Sequence, residues 1–208
     1  MSHRTLHTHL VPVKLEDIRP TQITVGLAEV KLKQEQWRQL NRKERKRRLA
    51  EQWFPSILGP KGRYYIVDHH HLGLALLGDG IDSAWVTVLR DLSALDETMF
   101  WRMMEHQRWA HPYDDQGKRR SFDSIPRKLT QLADDPYRSL AGMVRAAGGY
   151  AKDTEPFAEF LWADFFRPRI ARQRVVRALP QAIEEGLAIA RSEAAGFLPG
   201  WTGPAAAA

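Results

Sequence analysis

Asp68 and the histidines that follow it, His69, His70 and His71, form the densest group of chemically able side chains in the sequence. An imidazole can hydrogen-bond a phosphate oxygen, ligate a metal or carry a proton near neutral pH, and a carboxylate beside it can hold Mg2+ or fix the orientation of a ring. Upstream of them, Arg63-Tyr64-Tyr65-Ile66-Val67 is mostly aromatic and apolar, and downstream Leu72 to Leu77 is apolar until Gly78. The pattern predicts a strand, a polar corner and a helix that stops at Gly78. A helix start presents backbone N–H groups and the positive end of the helix dipole, a combination that favours an anion such as phosphate. The plainer alternative is that Asp68 caps the helix while one or two histidines pack. Three imidazoles in a row behind an aspartate at a strand end favour the functional reading.

Other groups are less telling in pattern. Arg42, Lys43, Arg45, Lys46, Arg47 and Arg48 crowd the helix-forming stretch Gln34 to Trp53, where apolar residues are sparse. Such a run suits the phosphates of DNA or RNA, and equally a solvated helix face. Glu105, His106 and His111 lie close together but lack a metal-site spacing such as His-Glu-x-x-His, so they read as structural. At Gly148-Gly149-Tyr150-Ala151-Lys152-Asp153 the glycines predict a helix stop, with Lys152 either near a phosphate or in solvent. Trp162 and Asp164 read as packing and as a buried partner for an arginine such as Arg167 or Arg169.

The elements that would position these groups change character near residue 91. Before it come short β-like runs, Leu10 to Leu15, Ile23 to Glu29, Tyr64 to Val67 and Trp85 to Leu89, separated by helical stretches. After it the sequence is helical: Asp96 to Trp109, a start at Asp135-Pro136, and Pro156 to Phe166, whose Phe157, Phe160, Leu161 and Phe165 are spaced as core. The expected organisation is a tail over 1–9, a small mixed-sheet α/β core over 10–92, a helical extension of the same globular unit over 93–195, and a tail over 196–208. The 208 residues include no cysteine, which excludes disulfides, thiol catalysis and thiolate metal sites. No apolar run approaches twenty residues, and no apolar core of signal-peptide length follows Arg4, so the expectation is a cytoplasmic protein without a membrane span. A net charge of +6 favours contact with phosphates.

The Asp68 to His71 corner resembles the Asp-Gly-His-His-Arg motif of the ParB/sulfiredoxin fold, a superfamily that includes the ParB N-terminal domain, sulfiredoxin and an ADP-dependent free-serine kinase. Further blocks, Arg19-Pro20-Thr21-Gln22-Ile23-Thr24-Val25-Gly26 with Glu29-Val30, Leu58-Gly59-Pro60, Asp134 to Gly142 and Phe157 to Phe165, resemble the subfamily called ParB-like or “putative ParB-like nuclease”. The resemblance covers about residues 10 to 175. It implies a small ParB/sulfiredoxin-like mixed-sheet core with the C-terminal helical half packed on it. It also implies that His69, His70 and His71 hold nucleotide phosphates, that Asp68, His70 and His71 match the motif's Asp and two histidines, and that Glu29 stands where the kinase has its general base. Two positions depart from the pattern: His69 replaces the motif's Gly, and Leu72 replaces its Arg. Lys31, Arg90, Arg138 or Lys152 are the candidates to supply the cation that Leu72 does not. Sulfiredoxin chemistry itself needs a cysteine that this chain lacks. An apolar strand before Asp-His-His also resembles the DHH phosphoesterases, but the only aspartate upstream of Asp68 is Asp17, one arm of what is a two-metal site in that family.

The reading this supports is a protein that binds a nucleotide, ATP or ADP with Mg2+, or another phosphorylated small molecule at the corner, for phosphoryl transfer or phosphodiester cleavage. Asp68 would hold the Mg2+ or orient a histidine, Glu29 would act as base, and His70 and His71 would stabilise developing charge. The alternative is a DNA- or nucleotide-binding module without turnover, using the basic run 42–48 on nucleic acid. No recognition helix of the helix-turn-helix type follows, which argues against a chromosome-partitioning role.

Overall fold

The computed structural model describes residues 10–204; the expected tail over 1–9 lies outside the described residues, as do residues 205–208. In chain order the elements are β1 (Leu10–Lys14), β2 (Thr24–Val25), α1 (Leu27–Gln39), α2 (Arg42–Glu51), β3 (Trp53–Gly59), β4 (Arg63–Ile66), α3 (His70–Gly78) and β5 (Ser83–Asp91). There follow α4 (Glu97–His106), β6 (Ala133–Asp134), α5 (Pro136–Ala146), α6 (Ala158–Phe166), α7 (Arg172–Arg177) and α8 (Leu179–Ala190). The chain is mixed α/β, as its sequence predicts. It forms two compact units, one from residues 10–23, 31–112 and 120–132, the other from 24–30, 113–119 and 133–204. Among the described residues no helix is long and apolar enough to cross a membrane.

The first unit is built on a sheet in the order β1-β5-β3-β4, with β3 and β5 parallel and the other pairs antiparallel. Strand β5 starts with the two-residue period of a half-buried strand, Ala84 and Val86 buried and Ser83 and Trp85 exposed. Strand β3 leaves no such trace in the sequence: it holds Pro55, a buried Ser56 and Gly59, and its register with β5 shifts between Ser56 and Ile57. Beyond β4 the backbone of Arg19 continues the pairing, its N–H donating to Tyr64 O at 2.8 Å and its carbonyl accepting from Ile66 N–H at 2.9 Å. Ile57, Tyr65, Leu92, Phe100 and Met104 pack as the core around this sheet and α4. The basic stretch Gln34 to Trp53 is not the single helix its composition predicts. Asn41 interrupts it, accepting from Glu44 N–H at 3.0 Å while its own N–H donates to Glu44 Oε2 at 2.9 Å, a capping box that starts α2 afresh. Trp53 already belongs to β3.

In the second unit β2 and β6 pair in parallel. The expected strand over Ile23 to Glu29 shrinks to Thr24–Val25, because the chain enters α1 at Leu27. Leu27 N–H donates to Asp134 Oδ1 at 2.9 Å and Ala28 N–H to Ser139 Oγ at 3.2 Å, so the helix start is capped by side chains far along the sequence. Gly26 permits that approach, since a Cβ there would lie 2.5 Å from Ser139 N. The start at Asp135-Pro136 is as predicted, with Asp135 Oδ1 accepting from Tyr137 N–H at 3.0 Å. The core joins Leu140, Val144, Tyr150, Trp162, Phe166 and Ile170, with Tyr150 stacked on Trp162 at 4.0 Å. In α6 Phe160, Trp162 and Phe165 are buried as expected, while the expected Leu161 is 52% exposed, on the side of the helix that also carries the half-buried Asp164. Residues 196–204 of the expected C-terminal tail are described and tied down: Leu198 is buried, Gly200 O accepts from Ala151 N–H, and Pro199 O accepts from Trp162 Nε1–H.

Candidate functional site

Strand β4 delivers the chain, through Val67, to an exposed Asp68 and an exposed His69, and α3 begins at His70. His69 is in the left-handed conformation, φ 66° and ψ 23°, and its own side chain does not cap the helix behind it. The turn needs a positive φ, which glycine, the residue at this place in the motif the corner resembles, adopts freely and histidine at a cost of about 1 kcal/mol. A left-handed residue followed by a helical one turns successive backbone N–H groups toward a common point, a concavity that suits an anionic oxygen. The first of these donors, His69 N–H, is already taken by Asp68 Oδ1 at 2.6 Å, which fixes the turn.

The histidines divide by burial. His69 faces solvent, its ring edge-on to Phe54 with 6.0 Å between centroids. His70 is 4% exposed, and its Nε2 accepts from Thr21 N–H at 3.1 Å, which puts the ring proton on Nδ1. Thr21 Oγ1 in turn donates to Ile66 O at 2.8 Å. His70 thereby locks the 19–22 segment to the corner. His71 is also buried, and Leu72, in the place of the motif's Arg, is half-buried.

Glu29 and Arg138 belong to the second unit. Glu29 lies half-buried in the first turn of α1, and a Cβ on Gly142 would come within 2.9 Å of its Oε2, so that glycine makes room for the carboxylate. Arg138 is 4% exposed, its guanidinium 3.4 Å from the centre of the Phe160 ring. Burial pulls its pKa down to about 10, opposed by Asp135, Glu29, Tyr150 and Asp164. Its Nε and Nη1 make no hydrogen bond among the described residues. A phosphate would have to enter the unit to meet it. Asp135 also accepts from Arg167, at 2.8 Å from Nη2, and Asp164 Oδ1 pairs with the same guanidinium at 3.1 Å, the arginine partner its sequence context predicts. Burial nevertheless raises the Asp164 pKa.

Of the other predicted cations, Lys31 and Lys152 are exposed, the first on α1 in the first unit and the second between α5 and α6 in the second unit. On α2, Arg42, Lys43, Lys46, Arg47 and Arg48 are exposed, whereas Arg45 turns back to Trp37 O and Arg38 O. Among the described residues no three His, Asp or Glu side chains are grouped to hold a metal ion. An exposed Asp68 suits the lesser role of a single carboxylate on a Mg2+ ion held mainly by substrate phosphates and water. Sequence reasoning missed Thr21 as the partner of His70; a backbone N–H carries no residue-type signal, and the pair is 49 positions apart.

Comparison with known proteins finds a family and a solved structure that this chain resembles. The family description “putative ParB-like nuclease” matches residues 11–168. Protein Atu1540 from Agrobacterium tumefaciens, known from a crystal structure, is 42% identical over 95% of this chain and 98% of its own, with a TM-score of 0.89. No curated protein matches.

Proposed function

The chain belongs to the ParB-like nuclease family, and from that premise we propose that the Asp68 to His71 corner binds the phosphate of a nucleotide or another phosphorylated ligand, for phosphoryl transfer or phosphodiester cleavage. The observation that carries the reading is the left-handed turn at His69, between an exposed Asp68 and the start of α3. In this reading the backbone N–H groups at the start of α3 cradle the phosphate and the His69 imidazole adds a hydrogen bond from solvent. Asp68 is the carboxylate that would take Mg2+, which supplies charge neutralisation at the phosphates when bound. His70 acts from behind, holding the Thr21 segment in place. The full chain titrated calorimetrically with ADP and with ATP, each with Mg2+, should bind saturably, and Asp68→Asn and His69→Ala should each weaken binding at least tenfold. Phosphorus-31 spectra of the same mixtures would then follow turnover. Absence of binding to either nucleotide sinks the reading.

A second reading rests on α2, which buries no residue and sets Arg42, Lys43, Lys46, Arg47 and Arg48 in solvent. That face is suited to a nucleic-acid backbone. Its signature would be DNA affinity that falls log-linearly with salt and loses slope in Lys43→Ala and Lys46→Ala.

A further inference from the structure

A cleft of about 340 Å³ opens in the first unit beside β4. Arg19, Lys61, Arg63 and Arg127 line it, together with the carboxylates of Glu97 and Asp123. Its apolar wall is made by Tyr65, Trp101 and Phe122. The last two rings are stacked, 5.4 Å between centroids and 7° between planes, and Tyr65 meets Trp101 edge-on at 5.6 Å. Nothing so far assigned to the corner uses these side chains.

The four cations are the informative part. Among the described residues none of them forms an ion pair, whereas Arg38, Arg167, Arg172 and Arg174 elsewhere are each paired with a carboxylate. Like charges gathered around a concave surface repel one another, and low-dielectric walls focus their field into the opening. Lys61 is held there by a left-handed backbone, φ 61°, in the short turn between β3 and β4. Burial raises the Tyr65 pKa against the pull of Arg63, so its hydroxyl stays a donor at neutral pH. The cations outnumber the carboxylates by two. A phosphate monoester carries about −1.5 to −2 charges at pH 7, which matches that surplus, and a diester carries only one. The volume lies at the lower end of small-molecule pockets.

We propose that this cleft is a second binding site, separate from the corner, for an organic phosphate monoester of mononucleotide size. The phosphate sits among Arg19, Lys61, Arg63 and Arg127, the planar body lies against the Trp101 and Phe122 wall, and Glu97 and Asp123 accept from hydroxyl or amino groups of that body.

The test uses the full chain and AMP as probe, by calorimetry at low salt. Wild type should bind AMP saturably, and more tightly than adenosine, inorganic phosphate or a dinucleoside monophosphate diester. Lys61→Glu and Arg127→Glu, both at exposed positions, should each weaken AMP at least tenfold with unchanged melting temperature, while Asp68→Asn at the corner should change it less than twofold. The proposal is overturned if wild type shows no saturable AMP binding, if adenosine, phosphate or the diester binds as tightly as AMP, or if Asp68→Asn abolishes binding that Arg127→Glu leaves intact. ADP with Mg2+ responding to Asp68→Asn alone would leave the corner standing whatever AMP does, so the two sites fail separately.

Discussion

At the scale of the residue, His69 carries a backbone conformation that its side chain disfavours, and a measurable consequence follows. His69→Gly should raise stability by about 1 kcal/mol in urea unfolding even though it removes an imidazole, and a destabilised variant would show that the ring's edge contact with Phe54 outweighs the turn. Two buried groups of the second unit pull in opposite directions at alkaline pH. Arg138 has its folded pKa depressed to about 10, so the unfolded chain holds that proton more tightly and this group alone makes stability rise with pH between about 10 and its ordinary value. Tyr150 has its folded pKa raised by burial, and its hydroxyl donates to Ala141 O at 2.9 Å. Its contribution is complete below the unfolded pKa near 10 and is lost as pH rises toward the folded value. Tyr150→Phe should therefore cost about 1 kcal/mol near neutrality and flatten the fall in stability above pH 10 by up to about 1.4 kcal/mol per pH unit. Urea midpoints measured from pH 8 to 11.5 read both effects.

At the scale of the element, what the sequence reveals depends on how local the physical cause is. The start of α5 at Asp135-Pro136 and the stop of α3 at Gly78 were legible because the capping residue sits beside the helix it caps. The polar corner was legible for the same reason, as a strand, an aspartate and a helix in one contiguous run. The start of α1 was not, since its cap comes from Asp134, 107 positions away. Strand β3 was hidden by Pro55 and a buried Ser56, which erase its alternation. The cleft left no trace at all, because Arg19, Lys61, Arg63 and Arg127 come together only through folding. Gly26 gives the nonlocal cap a direct test. A Cβ there would press within 2.5 Å of the Ser139 amide, a backbone atom that cannot rotate away. Gly26→Ala should cost about 1–3 kcal/mol or more, whereas alanine for glycine at an unconstrained position of compatible φ stabilises by about 0.4–1 kcal/mol, again by urea midpoint.

At the scale of the molecule, neither unit is a continuous stretch of chain. The second unit takes residues 24–30 and 113–119 from within the sequence range of the first. The first piece supplies the partner strand of β6, the backbone that Asp134 and Ser139 cap, and the carboxylate of Glu29 that acts on Arg138, and the second supplies Asp115, whose carbonyl accepts from Arg167. A fragment of residues 133–208 should therefore lack a cooperative thermal transition by circular dichroism, despite holding most of that unit's core; a native-like melt would show that the inserted pieces are dispensable. The first unit's sheet has its own whole-molecule consequence. At one margin the backbone of Arg19 occupies the hydrogen-bonding groups of β4, and at the other β1 places Pro12, which has no N–H to offer, with Lys14 exposed beside it. Such margins give a neighbouring chain little to zip onto, so crowded solutions of this protein should resist fibre growth through this sheet, and Pro12→Val is the change that would reopen a path to it.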